Sequence, residues 1–392
     1  MWAARAAVAE RAVCARHFRP LWGLPGTLLG VSGWPATTVE LIYGPWNYWW
    51  QAHVLDCLVD AYVRSPDSER LSRIERLLNG IRIRSLKSWL NDYYDDMAWL
   101  ALAVQRAEKH AGVRRPAALP ALTEDIRSGW TDHSGGGVWW RKRERFHDDF
   151  KNVPTNGPAA ILFARLSEDQ PDGAAGERPN RQRAVDTVNW IERHLIEPTT
   201  GLVYDGLHVN EDDSISAIGK EIYTYCQGTF LGACIELAVR ETAEGADGAI
   251  WADRTVRTID AVAKHVTDLD DEAGPTLRGQ GGGDGGLFAA ILARYLGSAA
   301  LELPALGDAY SQPSYTRAGQ LAADLVYSSA RAAWRNRTEA THGPLFGPDW
   351  TAQAVLPGRD SPPERDLSVQ AGGWMLMEIA AGLERAGIRP RA

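Results

Sequence analysis

Apolar residues recur three and four positions apart along almost the whole chain, the period of helices that each bury one face. Between Ile222 and Arg240, for example, Phe230, Leu231, Cys234, Leu237 and Ala238 fall on a single stripe. The same periodicity predicts twelve helices, at 2–18, 46–64, 68–89, 95–111, 118–130, 155–168, 177–196, 221–243, 248–266, 284–297, 313–335 and 367–387. Strand-like signals are short. Gly137-Val138-Trp139-Trp140 and Gly201-Leu202-Val203-Tyr204 read as rim hairpins or loop strands. Segments before even-numbered helices are mostly long (131–154, 198–220, 267–283, 336–366), and those before odd-numbered helices mostly short (65–67, 112–117, 244–247). Short links join antiparallel neighbours, and long loops usually carry function. Six hairpins closed into a ring would gather every long loop on one face. The expected fold is therefore an all-α (α/α)6 toroid, a single domain over 1–392. Its even helices would lie inside, with their N-termini at the mouth of a cleft.

Small residues in three of the expected inner helices agree with a crowded inner ring. They are Gly228, Gly232 and Ala233; Gly285, Gly286, Ala289 and Ala290; and Ala371, Gly372 and Gly373. The expected outer segments Leu71 to Leu90 and Gln182 to Ile196 carry more charge. No repeat is visible in the residues themselves. No linker divides the chain, and Asp172 to Gly176 and Arg278 to Gly286 read as loops.

Composition narrows the function. A 392-residue chain with 45% hydrophobic and 23% charged residues can bury a large core. Its net charge of -8 argues against nucleic acid or an anionic membrane as the main partner. The 9 histidines show no metal-ligand spacing, and neither a metal nor a cofactor is called for. Sixteen tryptophans exceed what a core ordinarily needs. Indole rings suit the C–H face of a pyranose, although many must simply be core. Cys226 and Cys234 lie eight apart on one helix, about 12 Å at 1.5 Å per residue, too far for a disulfide. Free thiols suit a reducing compartment. Arg5, Glu10, Arg11 and Arg16 interrupt any apolar core of an export signal, and no run of 18 uncharged apolar residues occurs. A cytoplasmic location without membrane insertion is the resulting expectation.

The chemistry concentrates at Tyr93-Tyr94-Asp95-Asp96, which opens the apolar helix running from Met97 with no base nearby in sequence. Adjacent carboxyls push one pKa upward, so one keeps its proton while the other ionises. Glycoside hydrolysis divides its labour in that way. Acids in a first turn also suit the helix dipole, so capping is the competing account. The other even helices decide between them. Helix 2 begins Trp46-Asn47-Tyr48-Trp49-Trp50-Gln51, helix 6 follows Lys151-Asn152 and contains Asn156, helix 8 begins near Tyr223-Thr224-Tyr225-Cys226-Gln227-Gly228, helix 10 follows Asp284, and helix 12 holds Gln370 and Trp374. Aromatic, amide and acidic side chains thus recur at one end of the expected ring. The candidate substrate-binding residues are Trp50, Gln51, Tyr94, Trp139, Trp140, Asn156, Tyr204, Asp205, Tyr225, Gln227 and Asp284. His53, on an apolar helix, reads as a satisfied core histidine.

These motifs resemble glycoside hydrolase family 76, the α-1,6-mannanases. Tyr93 to Ala103, Lys151-Asn152 with Asn156-Gly157, Tyr223 to Ala233 and Gly283 to Phe288 carry the resemblance, with loop motifs at Gly135 to Trp140 and Thr200 to Gly206. It spans about Trp46 to Leu296. It implies an (α/α)6 fold, retention of anomeric configuration, Asp95 as nucleophile and Asp96 as general acid/base. The implied partner is α-1,6-mannan or a mannose-containing lipoglycan or oligosaccharide. The chain departs from the family pattern at Trp99-Leu100, where many members carry a second aromatic. Transglycosylation on the same mannan, non-catalytic mannan binding and sugar epimerisation on the same fold are the alternatives.

Overall fold

The computed structural model describes residues 1–167, 179–358 and 361–391. Among them are twelve long helices. They are α1 (Trp2–His17), α2 (Tyr48–Arg64), α3 (Ser68–Arg84), α4 (Tyr94–Ala111), α5 (Ala118–Ser128), α6 (Val153–Leu166), α7 (Asn180–His194), α8 (Thr224–Ala243), α9 (Ala249–His265), α10 (Gly285–Ala309), α11 (Pro313–Arg335) and α12 (Leu367–Arg385). Short helices Thr38–Ile42 and Arg143–Phe146 lie within the long loops. The expected loop at Asp172 to Gly176 and the first two positions of the expected helix 177–196 lie outside the described residues.

The even helices form a closed ring. α2 packs on α4, α4 on α6, α6 on α8, α8 on α10, α10 on α12, and α12 returns to α2. The odd helices pack outside them, α1 against α12, α3 against α2, α5 against α4, α7 against α6, α9 against α8 and α11 against α10. This is the (α/α)6 toroid. Its inner helices approach closely because small residues face one another. A Cβ on Gly228 would come within 2.7 Å of the Leu292 backbone, and one on Gly372 within 2.5 Å of the Gly286 carbonyl. α10 is long and apolar enough to cross a bilayer, but it is an inner-ring helix packed by α8, α11 and α12.

Three expectations need correction. α10 continues to Ala309, twelve residues beyond the expected end, because Ala299, Ala300, Leu303 and Leu306 extend its buried stripe. α3 stops at Arg84 rather than 89, since Leu86 and Lys87 take left-handed backbone with φ of 56° and 66°. The expected strands at 137–140 and 201–204 are single bridges, Val138 to Trp130 and Val203 to Ile196. The N–H and C=O of Val138 and of Val203 are taken instead by the side-chain amides of Asn156 and Gln227 on inner helices. Among the described residues the loops carry four small antiparallel sheets. In one, Phe150–Asn152 pairs with Gly206–Val209 so that Asn152 lies opposite Gly206, joining the loops before α6 and α8.

Candidate active site

Tyr93 is the N-cap residue of α4, so Asp95 and Asp96 fall at the second and third helical positions. Neither is the cap itself. About 100° separates successive positions on a helix with 3.6 residues per turn, so the two carboxyls diverge. Asp95 accepts from the Trp140 indole N–H at 3.0 Å and from the Asp96 amide at 2.8 Å. Asp96 accepts from the Asn91 amide at 2.6 Å. Both acids are partly solvent-accessible yet surrounded by protein, as on the floor of a depression.

Burial raises both carboxyl pKa values. Asp95 is pushed up to about 7, its burial outweighing the Asp96 amide and Trp140 N–H that favour the anion, with Asp284 adding repulsion. Asp96 is held well above the usual carboxylate range, first by burial and then by the charge of Asp95. Asp95 has two good donors and Asp96 one, so Asp95 is the readier of the coupled pair to ionise and Asp96 the readier to keep its proton.

The rest of the mouth is aromatic and acidic. Asp284, at the N-cap position of α10, makes no cap bond; it accepts from the indoles of Trp49 at 3.1 Å and Trp50 at 2.9 Å. Tyr225 stacks on Phe288 with ring centroids 3.8 Å apart, and Tyr223 meets Phe288 edge-on. Tyr93 packs edge-on against Trp140 at 5.5 Å. Among the described residues, Asp205 has only the weak Cys226 thiol as a side-chain partner, at 3.8 Å. Burial and the nearby Glu221 push its pKa up to about 6.

Of the sequence candidates, the structure brings Asp95, Asp96, Trp50, Trp140, Asp205, Tyr225 and Asp284 to the mouth. Tyr204 is half-buried, packed on the core beside Asp205. Five candidates require correction. Gln51, Asn156 and Gln227 are completely buried, and each clamps one loop residue through both its backbone groups. Gln51 holds Gly30 (2.8 and 2.9 Å), Asn156 holds Val138 (2.8 and 2.9 Å), and Gln227 holds Val203 (2.7 and 2.8 Å). Their spare amide hydrogens go to Trp46, Asn152 and Tyr223 carbonyls, so no donor remains for a sugar. Gln370 treats Phe346 in the same way. Tyr94 is buried against Gly129, and Trp139 is buried beneath the rim with Lys151 over its ring. Sequence reasoning missed Trp49, Asn91, Tyr93, Tyr223 and Phe288. Trp49, Tyr93, Tyr223 and Phe288 had a signal, since each lies within a motif that holds a candidate; Asn91 lies outside them.

His53 is buried between the rings of Trp49 and Trp99, but it is not satisfied: neither ring nitrogen has a partner among the described residues. Burial lowers its pKa to about 3, so it is neutral. A separate cavity of about 310 Å³ lies at the far end of the ring, lined by Asp56, Asp60, Arg106 and Arg294 among others. Those charges neutralise one another, Arg106 pairing with both acids and Arg294 with Asp60 at 2.8 Å. The unequal acid pair is at the open mouth instead.

Residues 18–368 match the family described as Glycosyl hydrolase family 76. Among solved structures, the GH76A α-1,6-mannanase from Salegentibacter sp. HEL1_6 is 28% identical, with TM-score 0.78 over 98% of this chain and 100% of that one. An inactive variant of that enzyme, with two adjacent aspartates replaced by asparagine, is known in complex with α-1,6-mannotriose (28% identity, TM-score 0.77, 98% and 100% coverage). A Listeria innocua protein is 26% identical, with TM-score 0.76 over 100% of this chain and 99% of that one. No curated protein matches by sequence.

Proposed function

The chain belongs to glycosyl hydrolase family 76 and is a glycoside hydrolase, and on that premise we propose that it is a retaining endo-α-1,6-mannanase using Asp95 and Asp96. One observation carries the reading: two neighbouring acids share the mouth of the ring with unequal hydrogen bonding. In the first step the Asp95 carboxylate attacks the anomeric carbon while Asp96 gives its proton to the departing glycosidic oxygen. The glycosyl ester on Asp95 is then attacked by water. Asp96, now ionised, takes the water's proton, and the C–O bond to Asp95 breaks. Asp205 and Asp284 are suited to sugar hydroxyls, and Trp49, Trp140, Tyr93 and Tyr225 to the flat faces of mannose rings. The α-1,6-mannotriose complex of the Salegentibacter relative, obtained with two adjacent aspartates replaced, supports this substrate class and this pair.

The test is hydrolysis of linear α-1,6-mannan by Asp95→Asn and Asp96→Asn, with NMR of the first-formed anomer. Each variant should lose about 10³-fold or more in rate, and the product should keep the α configuration. Wild-type rates in either variant would end the assignment; a β product would end the retaining mechanism.

A further inference from the structure

The loop before α2 carries an apolar surface unlike the rest of the molecule. The five-residue helix Thr38–Ile42 has no buried residue at all, although three of its five residues are Val39, Leu41 and Ile42. A short helix ordinarily turns such residues inward. Here Leu41 is 46% exposed, Ile42 45%, Tyr43 75% and Trp22 52%. These four side chains and Arg84 line one open hollow of about 700 Å³. Exposed Leu24 and Leu86 flank it in sequence.

The surface is held in place. Thr37 and Glu40 form a capping box, and Arg365 binds Glu40 at 2.7 Å. The Trp22 indole donates to the Ile42 carbonyl at 2.8 Å, and the Arg84 guanidinium lies over the Trp22 ring while donating to the Tyr43 carbonyl at 2.8 Å. Contiguous exposed apolar surface that is rigid in this way marks an interaction site.

Charge selects the partner. Segments 19–46 and 82–91 contain four bases, Arg19, Arg82, Arg84 and Lys87, against one acid, Glu40, which Arg365 neutralises. On a chain of net charge -8 the sign is reversed locally. No open carboxylate or amide lines the hollow to bind sugar hydroxyls. Aliphatic side chains beside Trp and Tyr, with Arg84 in the lining and Arg19, Arg82 and Lys87 in the adjoining segments, match the interface of a bilayer with anionic headgroups.

We propose that this patch docks the protein on an anionic lipid surface, with Trp22, Leu41, Ile42 and Tyr43 entering the interface and the four bases facing phosphates. Topology places the patch on the face that carries the acid pair. It is built from the segment that enters α2 and the segment that leaves α3, both at the mouth end of the ring. Docking would therefore bring the mouth beside glycan tethered to lipid; that consequence, unlike the docking, rests on the mannanase reading.

The full chain should be floated with vesicles of phosphatidylcholine, with and without phosphatidylglycerol, in the absence of sugar. Wild type should float with the phosphatidylglycerol vesicles, less so as salt rises. Leu41→Glu with Tyr43→Glu should remain at the bottom. Arg82→Glu with Lys87→Glu should weaken partition about fivefold for each charge removed. Tyr43→Ser alone, at so exposed a position, serves if the double variant does not fold. Hydrolysis of soluble mannan should stay at the wild-type rate throughout. The proposal is overturned if wild type floats with neither vesicle, or if the variants float as well as wild type. Loss of retention on immobilised mannan would make the patch a sugar site, and a dimer broken by Leu41→Glu would make it a self-interface; either result also overturns it.

Discussion

Asp95 and Asp96 keep their protons to higher pH in the folded protein than in the unfolded chain, so this buried pair costs stability. The sign follows from their raised pKa values. A carboxyl near 3.8 when unfolded and about 7 when folded binds more protons in the native state across that interval, and stability falls as pH rises through it. Asp95→Asn and Asp96→Asn remove the titrating groups. Each should raise the thermal midpoint at pH 8, on the order of 2 °C per kcal/mol regained, with little effect at pH 4. Scanning calorimetry at the two pH values checks this, and an equal shift at both would contradict it. Trp140 supplies an indole donor to the Asp95 anion. Trp140→Phe keeps the ring but removes the N–H. It should lower kcat by about 10²-fold and move the acid limb of the pH–rate profile upward. A rate loss with an unmoved acid limb would mean that Trp140 only stacks on sugar.

At the level of elements, four inner-helix amides act as clamps on the loops before their helices. Gln227→Leu would leave the buried N–H and C=O of Val203 unpaired, a loss of about 3 kcal/mol in urea titrations at 1–3 kcal/mol per stranded group. Because Val203 leads directly into Tyr204 and Asp205, mannan hydrolysis should weaken as well. The same clamps show what could be read in advance. Ring topology was legible because it is written locally, in apolar stripes, alternating loop lengths and small residues on inner faces. Asp95 and Asp96 were legible because no base stands beside them. The amides were misread as sugar ligands because their partners lie 18 to 24 residues upstream. Nothing in a linear pattern distinguishes an amide aimed at a loop carbonyl from one aimed at a ligand. Tyr93 and Tyr94 differ by a single position. The cap boundary, least certain of all sequence signals, decides which of the two faces the mouth.

A ring of helices must close, and at the scale of the molecule closure falls where the chain's two ends meet. α12 packs on both α1 and α2, and the amino terminus binds Glu384 at 3.1 Å. The seam is centred on Arg64 of α2, which reaches Glu10 of α1 at 2.7 Å and Glu378 of α12 at 2.8 Å. All three side chains are nearly excluded from solvent. Glu10 has Arg70 and Arg73 as further partners, whereas Glu378 retains only the Trp374 indole once Arg64 is gone. Arg64→Leu should therefore cost about 3 kcal/mol, most of it from stranding Glu378. The Glu378 pKa is already raised by burial, with Arg64 opposing that rise. Removing Arg64 lifts it further, so the variant's deficit should grow as pH rises above the unfolded glutamate range. Arg64→Leu with Glu378→Leu should recover much of the loss, because an apolar pair needs no compensation. Urea midpoints across pH for the three proteins test the account, with amide exchange quickening first in α1 and α12. A single variant as stable as wild type at every pH would assign closure to the apolar contacts of Trp2 and Trp374 instead.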